Sequence, residues 1–125
     1  MSIVIQTSGA PAAIGPYSQA VKSGKTVYCS GQLGLHPVTG ELAVGFEAQV
    51  KQALANLKAV TQAAGGDVDE CVKLTLFLTD LSKFAVVNEL LSQFFQQPYP
   101  ARSTVGVASL PKGGEFEIEA IMVLK

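Results

Sequence analysis

The chain has 125 residues, of which 48% are hydrophobic and 15% charged, with a formal net charge of −1. That length suits one domain with a buried core, read here as a single unit over residues 1–125. No run of Lys or Arg and no stretch of ~18 apolar residues argue against nucleic-acid and membrane partners.

The start, MSIVIQTSGAP, lacks the basic segment and long apolar run of a signal peptide, so a cytoplasmic protein is expected. Average soluble domains carry about 25% charged residues. A surface this lean in charge is expected to be partly covered, and self-association is the simplest cover.

Residues 3–6 form a short β-like run, followed by the Gly-, Ala- and Pro-rich loop SGAPAAIGPYS. Two further β-like runs, 19–22 and 26–33, flank Ser23-Gly24, a hairpin signal. Residues 46–64 read as a helix. Val50, Ala53, Leu54, Leu57, Val60 and Ala64 recur at three- and four-residue spacing, and Gly65-Gly66 stops the pattern.

CVKLTLFLT, residues 71–79, is a strand with Val72, Leu74, Leu76 and Leu78 on one face. A second helix is predicted over 81–96, capped by Asp80 or Ser82, with Phe84, Val87, Leu91 and Phe94 or Phe95 as its stripe. Strands at 103–109 and 115–124 close the chain. The order β, β, β, α, β, α, β, β implies an α+β fold with both helices on one face of a single sheet. The other sheet face then calls for a partner subunit.

In EFEIEAIMVL, Glu115, Glu117 and Glu119 share a side with Ile121 and Val123, at roughly 6.5–7 Å intervals. Apolar neighbours favour the neutral form of a carboxyl there. Glu115, at the strand's end, reads as solvated. Arg102 is the single arginine beside eight lysines. Its planar fork matches a carboxylate in a way lysine cannot, and that carboxylate is either an internal Glu or part of a substrate.

Tyr17 follows Gly15-Pro16, where the proline restrains the chain. Ser30-Gly31 interrupts a β-like run, as a bulge or a close backbone approach does. His36, the only histidine, reads as a solvated loop residue. Cys29 and Cys71, 42 positions apart, read as buried free thiols. One His and two scattered Cys supply no metal site and no Ser–His–Asp or Cys–His arrangement.

APAAIGPYSQAV (10–21), YCSGQLGLHPVTGEL (28–42), ANLKAVTQAAGGDVDECVKLTLFLTDL (55–81), DLSKFAVVNELLSQFF (80–95) and PARSTVGVASLPKGGEFEIEAI (100–121) together resemble one family. This is the RidA family (reactive intermediate deaminase, also called YjgF), matched along essentially the whole chain. The resemblance implies a chorismate-mutase-like α+β fold: one mixed sheet, two helices on one face, and a homotrimer with a barrel-like centre and inter-subunit clefts. It implies hydrolysis of 2-aminoacrylate and 2-aminocrotonate, released by pyridoxal-phosphate-dependent dehydratases, to pyruvate or 2-oxobutanoate and ammonia. It implies that no cofactor or metal is used.

Residue by residue, the resemblance makes Arg102 the carboxylate grip and Glu117 the group that positions water. Tyr17, Ser30 and Gly31 become cleft-lining positions. Thr104 touches the ligand through its backbone where some members have cysteine, and Asn88 takes a structural role. The segment FFQQPYPARS is about three residues shorter than in some relatives, which puts the cleft rim near Tyr99 in question. Two other readings remain: a non-catalytic ligand-binding or chaperone-like module, and an endoribonuclease or translation inhibitor, which the missing His pair and basic patch disfavour.

Overall fold

A computed structural model describes residues 2–125. Six strands among these residues form one sheet in the order β1-β2-β3-β6-β4-β5. They are β1 (Ser2–Ile5), β2 (Ala20–Ser23), β3 (Thr26–Leu33), β4 (Cys71–Leu78), β5 (Ala101–Gly106) and β6 (Phe116–Val123). All neighbouring pairs are antiparallel except β4 and β5, so the sheet is mixed. Helices α1 (Phe46–Ala63) and α2 (Phe84–Phe94) supply the second layer.

The core lies between the helices and one sheet face. Phe116, Ile118, Ala120 and Met122 of β6 meet Leu74, Leu76 and Leu78 of β4, all buried, beneath Val50, Ala53, Leu57 and Val60 of α1. This is the alternation anticipated for the last strand. Period-2 patterning leaves Glu117, Glu119, Ile121 and Val123 on the other face. There Val4, Tyr28, Val105 and Val123 stand exposed in the single chain.

The hairpin turn between β2 and β3 is Gly24-Lys25, because Ser23 pairs with Thr26. Gly24 takes φ 62° at the first turn position, where glycine is needed. Helix α1 ends as expected, with Gly65 at φ 99°.

Several elements depart from the sequence reading. Cys71 pairs with Met122 while Lys73 pairs with Ile121, so β4 carries a bulge. The extra residue turns Val72 out of the core, and Cys71 fills the buried position instead. The segment predicted as one helix over 81–96 opens as a 3-10 turn, Leu81–Lys83, with Asp80 accepting from the Ser82 N–H at 3.0 Å. The buried stripe of α2 is Val87, Leu90 and Leu91. Phe84 is exposed, and Phe95 is buried just beyond the helix.

The strand predicted over 103–109 begins earlier and is largely exposed, which puts Arg102 inside β5 and not ahead of it. As an edge strand, β5 lacks a neighbour on its outer side. Glu115 is only partly solvated, being tied into the fold. It precedes β6, its backbone N–H donates to Gln49 Oε1 (2.9 Å), and its carboxylate accepts from Gln49 Nε2 (3.3 Å) and Lys83 Nζ (3.4 Å).

Gly34 sits where β3 leaves the sheet beneath α1. A Cβ there would come within 2.6 Å of Gln49 Cα, which is backbone and cannot swing aside. Gly34→Ala is therefore expected to destabilise the protein by about 2–3 kcal/mol, at the upper end of overpacking costs. Chemical denaturation checks this. A change within experimental error would show that α1 is not seated against β3 at this point.

Candidate functional site

The predicted site residues fall into two groups. Tyr17, Ser30, Gly31 and Glu117 line one open cavity of about 750 Å³, with Gln19, Pro37 and Lys112 on its wall. Arg102 lines a separate cavity of about 390 Å³ with Leu74, Asn88, Leu91, Phe95 and Tyr99. Thr104 lies two residues further along β5. Among the described residues, a larger hollow beside β1 is lined by no ionisable side chain except Tyr17.

The first group is built around a bulge. Cys29 pairs with Ala120 and Gln32 with Ile118, so Ser30-Gly31 carries the irregularity in β3. Its cause is visible at Gly31. A Cβ there would lie 2.7 Å from Glu117 Oε2 and 2.8 Å from its Cδ. The glycine leaves room for the Glu117 carboxylate to lie against the β3 backbone.

Ser30 is held on both sides: its N–H donates to the Gln19 carbonyl (2.9 Å) and its hydroxyl to the Ser18 carbonyl (2.5 Å). With its proton used in this way, the Ser30 hydroxyl meets a ligand as an acceptor. Gln19 is buried and bonds Thr7, Ala10 and Pro11, which pins the loop that carries Tyr17. Asn56 is fully buried and donates to the carbonyls of Leu33 and Leu35, fixing the end of β3.

Sequence reasoning missed these buried amides. Gln49 and Asn56 sit seven apart on the apolar stripe of α1, and a polar residue on such a stripe was the available signal.

Burial pushes the Glu117 carboxyl pKa up, and the like charge of Glu119 adds to it. Cys29 and Cys71 are buried free thiols whose pKa values burial raises to about 11 and about 12, leaving them little thiolate at neutral pH. His36 is an exposed turn residue whose Nδ1 accepts from the Val38 and Thr39 N–H groups (3.1 and 3.3 Å).

Arg102 is differently placed. Its ladder partner is Leu74, which pairs in turn with Ala120, so its side chain projects on the helix face. The guanidinium lies over the exposed Phe84 ring at 5.3 Å. Neither ion pair among the described residues, Lys58–Asp67 and Lys83–Glu115, involves it. Of the two partners considered for it, the internal carboxylate is thus not the one observed.

Val107 N–H donates to Leu78 O (2.9 Å), which assigns the odd residues of β5 to the ladder with β4. The N–H and C=O groups of Arg102 and Thr104 face the free edge. The Thr104 hydroxyl is buried without a hydrogen-bond partner, so what this residue offers outward is its backbone. Asn88, expected to be structural, shares the Arg102 cavity.

Comparison with known proteins places the chain. A family model described as Endoribonuclease L-PSP matches residues 7–124. The chain belongs to the RidA family. It is 51% identical over 121 residues to the 2-iminobutanoate/2-iminopropanoate deaminase of Bos taurus, covering 96% of this chain and 88% of the bovine one. Its fold overlays the crystal structure of RidA from an Antarctic Psychrobacter at TM-score 0.96, with 56% identity over 98% of this chain and 99% of that one. Escherichia coli TdcF, solved with bound serine, overlays at TM-score 0.93 with 44% identity, over 98% and 99% of the two chains. The α+β fold with one mixed sheet and two helices is thus that of solved RidA-family structures.

A carboxyl with a raised pKa binds its proton more tightly in the folded chain than in the unfolded one. Its contribution to stability is present at low pH and is lost as pH rises through the raised value. Glu117→Gln, which cannot ionise, is expected to melt higher than the parent at about pH 8, with the gap closing toward pH 4. Thermal scans across that range test this, and a gap independent of pH would mean the carboxyl is not desolvated.

Proposed function

We propose that this protein is a 2-iminobutanoate/2-iminopropanoate deaminase. It hydrolyses reactive 2-aminoacrylate and 2-aminocrotonate, in their enamine and imine forms, to pyruvate or 2-oxobutanoate and ammonia. The observation that carries this reading is Arg102: a lone guanidinium with no carboxylate partner among the described residues, stacked on Phe84 beside outward-facing backbone groups. Deaminase-named relatives near 50% identity and the serine-bound TdcF structure support a small amino- or imino-acid ligand.

The working unit in this reading is a homotrimer with a chorismate-mutase-like, barrel-like centre. Within one chain Arg102 and Glu117 are two strands apart, roughly 10 Å, and three residues apart along the strands, roughly 10 Å more. They also project from opposite sheet faces. A second copy that covers the exposed Val4, Tyr28 and Val105 brings one chain's β5 edge to the next chain's Glu117 cavity.

There Arg102 holds the substrate carboxylate with two parallel hydrogen bonds, and the Thr104 N–H adds a third donor. This fixes C2 of the imine for attack. Glu117 orients a water and takes its proton as oxygen adds to C2, giving a carbinolamine. The nitrogen receives the first water proton back from Glu117 as the carbinolamine forms and a second, given up by the carbinolamine hydroxyl, as the C–N bond breaks and C=O forms, so ammonia and the 2-oxo acid leave. Tyr17 hydroxyl and the backbone at Gly31 hydrogen-bond the reacting centre. The substrates arise from pyridoxal-phosphate-dependent dehydratases, which places the protein beside those enzymes in the cytoplasm. No cofactor takes part.

Arg102→Lys keeps the charge and loses the fork, so release of 2-oxo acid is expected to fall at least ~100-fold. A dehydratase-coupled assay measures it, and near-normal turnover would remove the carboxylate grip. Sharing of the site is tested by mixing two inactive variants. Arg102→Ala and Glu117→Gln chains, co-assembled in equal amounts, are expected to regain about a quarter of the active sites by random pairing. Mixtures no more active than their components would place both groups in one chain.

A further inference from the structure

The polar cluster around Glu115 lies outside both cavities, yet it touches the elements that carry each half-site. Glu115 immediately precedes β6 and stands two residues before Glu117. Its N–H and carboxylate are both bonded by Gln49, which is itself buried on α1. The Gln49 backbone packs on Gly34, three residues past Gly31. Gln49 and Glu115 therefore hold β3 and β6 together at the end where the Glu117 carboxylate lies over Gly31.

The same Glu115 carboxylate pairs with Lys83 Nζ at 3.4 Å, through its other oxygen. The ammonium is also 4.8 Å from the centre of the Phe46 ring at the start of α1. Lys83 is the residue next to Phe84, whose ring carries the Arg102 guanidinium, and α2 continues from there to Asn88. One side chain thus ties the segment that seats Glu117 to the segment that seats Arg102. A partly exposed ion pair of this length contributes little to overall stability. Its consequence is geometric.

We propose that Glu115 is a positioning residue that couples the two half-sites of each chain, with Gln49 and Lys83 as its two arms. This rests on the deaminase reading for its kinetic consequence but not for its structural one. Losing the Lys83 arm loosens Phe84 and with it the anion grip. Losing the Gln49 arm loosens the start of β6 and with it the setting of Glu117 against Gly31.

Four variants of the full chain in its native assembly separate these effects: Lys83→Met, Gln49→Leu, Glu115→Gln and Glu115→Ala. Calorimetric binding of 2-oxobutanoate reads the Arg102 side, and the acid limb of the pH–rate profile reads Glu117. Lys83→Met and Glu115→Gln are expected to weaken 2-oxobutanoate binding about five- to tenfold with the acid limb unmoved. Gln49→Leu is expected to move the acid limb with binding unchanged, and Glu115→Ala to do both.

Amide hydrogen exchange supplies a readout independent of activity. Glu115→Ala should speed exchange in both the 84–88 and 116–118 segments. Val60→Ala, a core truncation at the far end of α1, is a control for general loss of stability and should speed 84–88 and 116–118 no more than residues 26–29 of β3, whereas Glu115→Ala should speed those two segments relative to 26–29. Uncoupled exchange in Glu115→Ala, or the same pattern in Val60→Ala, would overturn the proposal whether or not the protein is a deaminase. Coupled exchange in a protein with no deaminase activity would instead overturn the function and leave the coupling standing.

Discussion

A β-sheet sends alternate side chains to opposite faces, and this constraint governs the site. Arg102 and Thr104 fall on the helix face of β5, while Glu117 and Glu119 fall on the uncovered face of β6. No rotamer change brings the guanidinium and the Glu117 carboxylate of one chain to one small molecule. The chain therefore carries two separated groups, a guanidinium at an open edge and a carboxylate over a glycine bulge. The proposed chemistry requires that association complete them.

The charges follow the same division. Arg102 has no carboxylate partner among the described residues, and Glu117 lies next to a like charge in a setting that raises its pKa. Each group is electrostatically incomplete in isolation. An anionic ligand beside the first and a reacting water beside the second are what those environments suit. The proposed trimer would also account for the exposure of Val4, Tyr28, Val105 and Val123 on the Glu117 face, since covering them and assembling the site are then one event.

Much of the fold was legible because α1 and β6 repeat cleanly. Val50, Leu57 and Val60 recur at helical spacing, and Phe116 through Met122 alternates without a break. The comparisons agree with the family membership that the quoted segments implied. What escaped depends on events that periodicity does not encode. A single bulge residue moved Val72 outward and Cys71 inward. A 3-10 turn placed Phe84 under Arg102 when the stripe had assigned it to the core. Glu115 looked like a solvated strand end because its partner, Gln49, lies 66 residues away in sequence.

Gly31 shows how the two kinds of information combine. In the sequence it is a glycine within a β-like run, which marks a bulge or a close approach without saying to what. In the structure the approaching group is the Glu117 carboxylate, closer than any Cβ would permit. An added methyl would not have to break the sheet, because a flexible carboxylate can swing away. Its cost would be a displaced Glu117, not a lost fold. The glycine is thus explained by the position of the Glu117 carboxylate, and stability alone does not demand it. The same reasoning separates Gly31 from Gly34, where the nearest atoms are helix backbone and cannot yield. Of these two glycines three residues apart, one belongs to the site and the other to the scaffold, and what faces each Cα makes the difference.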